Sequence, residues 1–292
     1  MKKAVRIGLL VFFAVDILLL FTSQAGALVR MYVGGKSYCP AWGTLMAVRS
    51  VDANLREQAR VRREMKLVRS DGDLQLWSTP HGNYWVSQGG EVALPLMLAE
   101  ETVGIYSLGE RGARRGDIVL DCGADIGTST RSALDRGASK VVAIEINPQR
   151  EKILRRNFEA EIGRGQVILY MKGVWNQNTS LVYYGDSVTE KRTGTGVTLP
   201  LTTIDQIVHE LHLPRVDFIK MDIEGAEKQA LEGARETLNR FHPRLSIATE
   251  HLSDDPVAIP KLVRILMPGA RSECVACEVV HQVVRPQVMY FY

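Results

Sequence analysis

The 292-residue chain is short of several things, and each shortage closes off a class of explanation. It has four cysteines, Cys39, Cys122, Cys274 and Cys277, far too few for a disulfide-held scaffold. Cys274-Val-Ala-Cys277 has the spacing of half a zinc site, but no second Cys or His pair completes it. On a regular strand those two thiols would also point to opposite faces. Cys122, at the end of an apolar run, reads as a small core residue. There is no internal repeat and no low-complexity tract. Net charge is only +3, so the overall balance demands no nucleic-acid surface, and no nucleic-acid partner is expected. With 46% hydrophobic and 24% charged residues, the chain has enough for one large α/β domain plus an N-terminal extension.

One apolar run stands out, Ile7 to Phe21, interrupted by Asp16 and preceded by Lys2, Lys3 and Arg6. Ala25-Gly26-Ala27 follows with the small residues of a signal-peptidase site. The run is short for a span, and a central Asp costs roughly 2.5–3.5 kcal/mol on insertion scales. Residues 1–27 therefore read as a signal-anchor or as a cleaved signal peptide, the latter making the protein secreted. Residues 28–92 read as a basic helix and a small β extension. The helix, over 45–66, carries Arg49, Arg56, Arg60, Arg62, Arg63 and Lys66. These form a solvated face or a patch attracted to anionic headgroups at about 1 kcal/mol per basic residue. Leu67–Val68 and Leu74–Trp77 flank the turn signal Asp71-Gly72, and Tyr84-Trp85-Val86 follows Pro80 and Gly82.

Residues 93–292 read as the main domain, entered through an amphipathic helix over 91–106 with Leu94, Leu98 and Ile105 on one side. Five β-rich apolar runs follow: Ile118–Cys122, Val141–Ile144, Val167–Tyr170, Val216–Met221 and Leu245–Ala248. Helical stretches lie between most of them: Thr128–Arg136, Pro148–Glu161, Ile204–Leu211 and Ala226–Phe241, with another near Pro256–Met267. This alternation predicts a doubly wound, mostly parallel sheet. Glu273–Val284 and Val288–Tyr292, joined through Pro286, are too closely linked to be parallel, which adds antiparallel structure at the C-terminus.

Ligands of such a sheet bind beyond the carboxyl ends of its strands. The first run ends in Asp121-Cys122-Gly123-Ala124-Asp125-Ile126-Gly127, whose glycines permit a tight turn before a helix. A dinucleotide loop would read G-x-G-x-x-G and a P-loop would supply a lysine; neither pattern is present. Asp121 and Asp125 would repel a pyrophosphate but could pair with an ammonium or sulfonium ligand, which favours S-adenosylmethionine over NAD. Glu145, 24 residues beyond Asp121, ends the second run where an acid accepts hydrogen bonds from ribose hydroxyls. Its competing reading is a capping carboxylate before Pro148. Asn147-Pro148 opens the next helix as a cap followed by proline. The candidate cofactor residues are thus Asp121, Gly123, Ala124, Ile126, Gly127, Glu145 and Asn147.

The fourth run leads into Asp222-Ile223-Glu224-Gly225-Ala226-Glu227, and Glu250-His251 ends the fifth. Asp222, Glu224 and Glu250 could orient or deprotonate an acceptor hydroxyl, or hold a divalent cation; no metal is assigned. His251 is a further candidate base. The choice among Asp222, Glu224 and His251 stays open.

Val119–Gly127, Ala143-Ile144-Glu145-Ile146-Asn147-Pro148 and Asp217–Glu227, with Leu201-Thr202-Thr203-Ile204-Asp205 before the last of them, resemble the FkbM-type methyltransferases. The resemblance covers about residues 115–270. It implies a class I methyltransferase, a Rossmann-like doubly wound α/β sheet, with S-adenosyl-L-methionine as cofactor. Several members act in O-methylation of sugars or polyketide-type products. By the resemblance, Asp121, Gly123 and Glu145 would hold the cofactor, and Asp222 and Glu224 would line the acceptor side. Asp125 departs from the pattern, where Asn or His is common. The resulting expectation is methyl transfer to a hydroxyl of a glycan, lipid or secondary metabolite. Its rivals are a nicotinamide-dependent oxidoreductase and a non-catalytic membrane-tethered binding protein. Because the methyl donor is cytosolic, a membrane-associated protein with its catalytic domain in the cytoplasm is expected.

Overall fold

The computed structural model describes residues 37–183, 196–280 and 283–292. The expected signal or anchor over 1–27, and the start of the 28–92 extension, lie outside these residues. Among the described residues no helix is long and apolar enough to cross a membrane.

The chain enters through helix α1 (Ala41–Glu64) and an antiparallel sheet of β1 (Lys66–Asp71), β2 (Leu74–Thr79) and β3 (Gly82–Ser87), in the order β1-β2-β3. Asp71-Gly72 does make the first hairpin, with Gly72 at φ +62° as the turn requires. A 3-10 turn over Gly90–Val92 leads to α2 (Leu94–Val103), which Gly104 ends in the left-handed conformation, shorter than the sequence pattern suggests. Val61, Leu74, Tyr84, Trp85, Val86, Leu94 and Leu98 bury their apolar faces together with Ile126 and Ile153 of the main domain. The extension thus packs directly on the glycine-rich loop.

The main sheet contains β4 (Ile118–Cys122), β5 (Lys140–Ile144), β6 (Val167–Tyr170), β10 (Phe218–Met221), β11 (Arg244–Ala248), β12 (Ser272–Val280) and β13 (Val283–Phe291). Its order is β12-β13-β11-β10-β4-β5-β6, with β4, β5, β6, β10 and β11 parallel and β13 antiparallel to both neighbours. Strands β4 and β10 are buried along their whole length because helices cover both faces, which explains their unbroken apolar runs. The chain winds from β4 to β5 and β6 in one direction and resumes at β10 in the other. The crevice between the carboxyl ends of β4 and β10 is therefore a switch point.

Helices α3 (Thr128–Asp135), α4 (Pro148–Asn157), α5 (Glu159–Gly163), α6 (Ile204–Glu210), α7 (Glu227–Glu232), α8 (Arg235–Phe241) and α9 (Asp255–Leu266) fill the connections. Two stretches expected as single helices are each divided. The 226–241 stretch breaks at Gly233, where a Cβ would come within 2.1 Å of the Trp175 carbonyl oxygen. Helix α8 then starts anew, capped by Asp205, whose carboxylate accepts from the N–H groups of Glu236 (2.9 Å) and Thr237 (2.8 Å). The 148–161 stretch breaks at Phe158, after Asn157 turns its side chain to the extension.

A small sheet of β7 (Gly173–Val174), β9 (Val197–Thr202) and β8 (Thr179–Tyr183), in that order, had no clear sequence signal, since β7 is two residues long and β8 is largely solvated. Pro286, expected in the connection, sits instead inside β13. It lies beyond the last β11 partner, Ala248↔Val288, so its missing N–H costs no bond to β11.

Candidate functional site

The first half of the site is the loop after β4. Gly123 (φ +80°) and Gly127 (φ +93°) adopt backbone conformations that a side chain would strain. A Cβ at Gly123 would meet the Asp222 carbonyl oxygen at 1.9 Å, and one at Gly127 would strike the Phe158 ring at 2.1 Å. The glycines serve close packing of the loop against β10 and α4. Backbone N–H groups of Gly123 and Ala124 both donate to the Ile144 carbonyl at 3.0 Å. Ile126 is buried against the N-terminal extension.

Glu145 ties this loop to the next one, accepting from the N–H of Asp125 (2.8 Å) and of Asn147 (2.7 Å). Burial raises its pKa despite those two donors. Asn147 caps α4, its side chain accepting from Gln149 N–H at 3.0 Å. Asp125 takes φ +46°, a conformation Asn and Asp tolerate best, and pairs with Arg150.

Asp121 is buried, accepts the Thr130 hydroxyl at 2.6 Å and lies 3.4 Å from the Lys220 ammonium. Neither loop carboxylate is therefore a free partner for a cationic ligand, contrary to the simple charge reading. The oxygen facing that ammonium is Oδ1, and Oδ2 is the one that takes the Thr130 hydroxyl. Lys220 also donates to the Gly123 carbonyl at 2.8 Å and lies over the Tyr106 ring. Burial opposes its charge, but Asp121, Asp222 and Glu101 together raise its pKa. Nothing in the sequence pattern marked Lys220 or Tyr106 as parts of the site; Lys220 reads as one position of an apolar strand.

The second half lies at the ends of β10 and β11. Asp222 accepts the Tyr106 hydroxyl at 2.9 Å and faces His251 Nε2 at 3.4 Å. Glu224, exposed and at φ +57°, lies 3.6 Å from the same nitrogen. The other ring nitrogen, Nδ1, is 3.0 Å from Glu227 Oε1, and Glu227 is fully buried at the start of α7. Burial disfavours the imidazolium, yet Glu227, Asp222 and Glu224 raise His251 to about 9. The three expected catalytic residues, Asp222, Glu224 and His251, are thus brought together, with ligand atoms within 4.8 Å of one another. An imidazolium among three carboxylates offsets part of their charge.

Around this group, burial, then the charges of Asp222 and Glu101, lifts Glu100 to about 7. Burial and the neighbouring Glu278 lift Glu250 to about 8. A cavity of about 310 Å³ between α6 and α8, lined by His209, His212, Arg240 and Phe241, contains none of these residues.

A profile described as the Methyltransferase FkbM domain matches residues 121–270. No curated protein sequence matches the chain. Among solved structures, it is similar to a methyltransferase FkbM from Methylobacillus flagellatus KT, with TM-score 0.50 and 18% identity. That similarity covers 86% of this chain and 60% of the other, so the chain spans less than two thirds of that protein. It is also similar, at TM-score 0.40 and 14% identity, to a precorrin-6y C5,15-methyltransferase from Geobacter metallireducens GS-15, covering 67% and 85% of the two chains. A third likeness is Trm5b from Pyrococcus abyssi, at TM-score 0.41 and 17% identity, over 78% of this chain and 55% of the other. At 18% identity the first of these likenesses speaks to the fold alone, a class I methyltransferase sheet. The 121–270 match takes in the loop after β4, Glu145, the acidic end of β10 and His251, and it extends over half the chain. The chain belongs to the FkbM methyltransferase family.

Proposed function

We propose that the protein catalyses S-adenosylmethionine-dependent methyl transfer to a hydroxyl oxygen of a glycan, lipid or secondary metabolite. The observation that carries this reading is His251, fixed through Nδ1 by buried Glu227 and presenting Nε2 beside Asp222 at the strand ends next to the β4 loop. The donor set suits the cofactor. Glu145 keeps unused lone pairs for ribose hydroxyls, since two N–H bonds do not fill a carboxylate's four acceptor positions. The bound donor would contribute a methyl group already activated by its sulfonium.

The protein's part is alignment and proton removal. His251, when neutral, takes the proton of the attacking hydroxyl at Nε2, and Glu227 holds the ring and stabilises the imidazolium that results. Tyr106 fixes Asp222, which orients the acceptor hydroxyl beside that nitrogen. The catalytic domain would face the cytoplasm, where the donor is made, with the N-terminal segment giving membrane association; the Cys39–Cys277 disulfide bridge would then be reduced in the cell and form on purification without reductant. Protease protection in cell fractions tests that placement, and a domain digested only from outside the cytoplasm would refute it.

Calorimetry with S-adenosylmethionine tests the cofactor. Transfer of labelled methyl from donor to cell extract, by wild type and by His251→Gln, tests the reaction. The expected result is donor binding by both proteins and labelled product from wild type. A folded wild-type protein that binds no donor, or turns over NADH instead, would overturn the proposal.

A further inference from the structure

Three of the four cysteines meet at one place, Cys39 joining Cys274 and Cys277 from 235 residues away. Cys39 and Cys277 form a disulfide, and the Cys274 sulfur lies 3.3 Å from Cys39 Sγ and 3.1 Å from Cys277 Sγ. A regular strand would send Cys274 and Cys277 to different sides. Strand β12 brings them together because its pairing with β13 shifts register twice, between Cys274 and Ala276 and again between Ala276 and Cys277. Cys39 arrives from the segment before α1, docked on β13 through the Tyr38 N–H bond to the Val284 carbonyl at 2.8 Å. Cys122 is buried in the core of the main sheet and belongs to a separate apolar group.

We propose that Cys39, Cys274 and Cys277 form a thiol–disulfide exchange site, with Cys274 as the internal thiol that opens the Cys39–Cys277 bridge. In this step Cys274 gives its proton to solvent, its side chain turns to bring the sulfur in line with the Cys277–Cys39 bond, and the thiolate attacks Cys277 Sγ. The Cys274–Cys277 bond forms, the Cys277–Cys39 bond breaks, and Cys39 leaves as a thiolate that takes up a proton. The exchange is an isomerisation, with no net oxidation and no outside reductant. Its consequence is mechanical: the segment at residues 37–40 changes from covalently fixed on the β12–β13 hairpin to held by noncovalent contacts, among them the packing of Cys39 against Val284. Burial lifts the Cys274 thiol to about 12, so exchange is slow at neutral pH and speeds up about tenfold per pH unit below that value.

The experiment uses the full chain purified without reductant, held at pH 7 and at pH 9, and treated with N-ethylmaleimide for increasing times. Acid quenching, digestion and mass spectrometry then locate the label. Cys39 lies on the tryptic peptide Ser37–Arg49, separate from Cys274 and Cys277. In wild type, label is expected on Cys39 as well as Cys274, with the Cys39 share growing faster at pH 9. In Cys274→Ser, Cys39 is expected to stay bridged and unlabelled. In Cys39→Ser, Cys274 and Cys277 are expected to be joined to each other. Label confined to Cys274 at both pH values overturns the proposal. So does Cys39 labelling at the same rate in Cys274→Ser, or three free thiols in the untreated wild type, which would leave no bridge to move.

Discussion

A methyl group added at Gly123 would lie 1.9 Å from the Asp222 carbonyl oxygen, on a backbone already at φ +80°. The neighbour is backbone of β10's exit, so no side chain can swing aside. Gly123→Ala is expected to weaken S-adenosylmethionine binding by at least about tenfold in calorimetry and to lower the unfolding midpoint, since left-handed strain alone costs about 1–2 kcal/mol. Unchanged binding would remove the loop from the cofactor site. His251 gives a different handle, because its pKa of about 9 separates activity from stability. A base must be neutral, so turnover should rise with pH and level off above about 9. His251→Gln should flatten that profile and cost about 10²–10⁴ in rate. Stability should run the other way. The folded value of His251 lies above its ordinary 6.5, so its contribution is complete below 6.5 and lost as pH rises through 9. Glu250, raised from 4.5 to about 8, keeps a proton that the unfolded chain releases above 4.5, so its penalty grows between those values. The thermal midpoint is expected to fall from pH 6 to pH 9.5, and Glu250→Gln should make the fall below about pH 8 shallower, leaving the share of His251. A flat or rising midpoint over that range would contradict both assignments.

Trp85 belongs to an element, β3, that lies outside the family match yet touches the cofactor loop. Its ring is buried beside Ile126, with Arg69 and Arg156 at 5.1 and 4.7 Å from its centre. Asn157 clips the same junction, accepting from Trp85 N–H at 2.7 Å and donating to the Trp85 and Ile126 carbonyls at 3.1 and 2.9 Å. Trp85→Ala should cost about 3–5 kcal/mol in urea unfolding and also weaken donor binding, because Ile126 loses the surface it packs on. Arg69→Ala should cost under about 1 kcal/mol, since only a solvent-facing cation–π contact is lost. Loss of stability with unchanged binding would make the extension a support with no hold on the loop. Such junctions explain what was legible in the sequence. The parallel strands could be read because burial on both faces makes them uniformly apolar, and the cofactor loop because backbone geometry dictates its glycines. Asp222 and His251 could be placed together because strand ends of adjacent runs converge. Glu227, Tyr106 and Lys220 could not be read as partners, since a buried polar residue is recognised only from what it meets across the fold. The β7–β9 sheet escaped because short solvated strands carry no periodic signal. Cys274 and Cys277 were misplaced for a related reason, as a register shift in β12 cancels the alternation on which their opposite facing depended.

At the scale of the whole molecule, the Cys39–Cys277 bridge closes a loop of 238 residues that contains nearly all the described chain. Chain-entropy arguments assign such a closure about 5 kcal/mol, acting through the unfolded state, which is denied its most extended conformations. Because it acts through the unfolded state, this stabilisation should depend little on the folded contacts of residues 37–40. Urea unfolding without reductant can isolate it by comparing Cys274→Ser, which keeps only the long bridge, with Cys39→Ser/Cys274→Ser, which has none. The double variant should be less stable by up to about 5 kcal/mol, and its m-value should be larger, because an uncrosslinked unfolded chain exposes more surface. Adding reductant should bring the single variant to the midpoint of the double and leave the double unmoved. If the two variants instead unfold together before reduction, the long loop is not closed in solution. The N-terminal segment would then be held to the β12–β13 hairpin by its backbone bond and local packing alone.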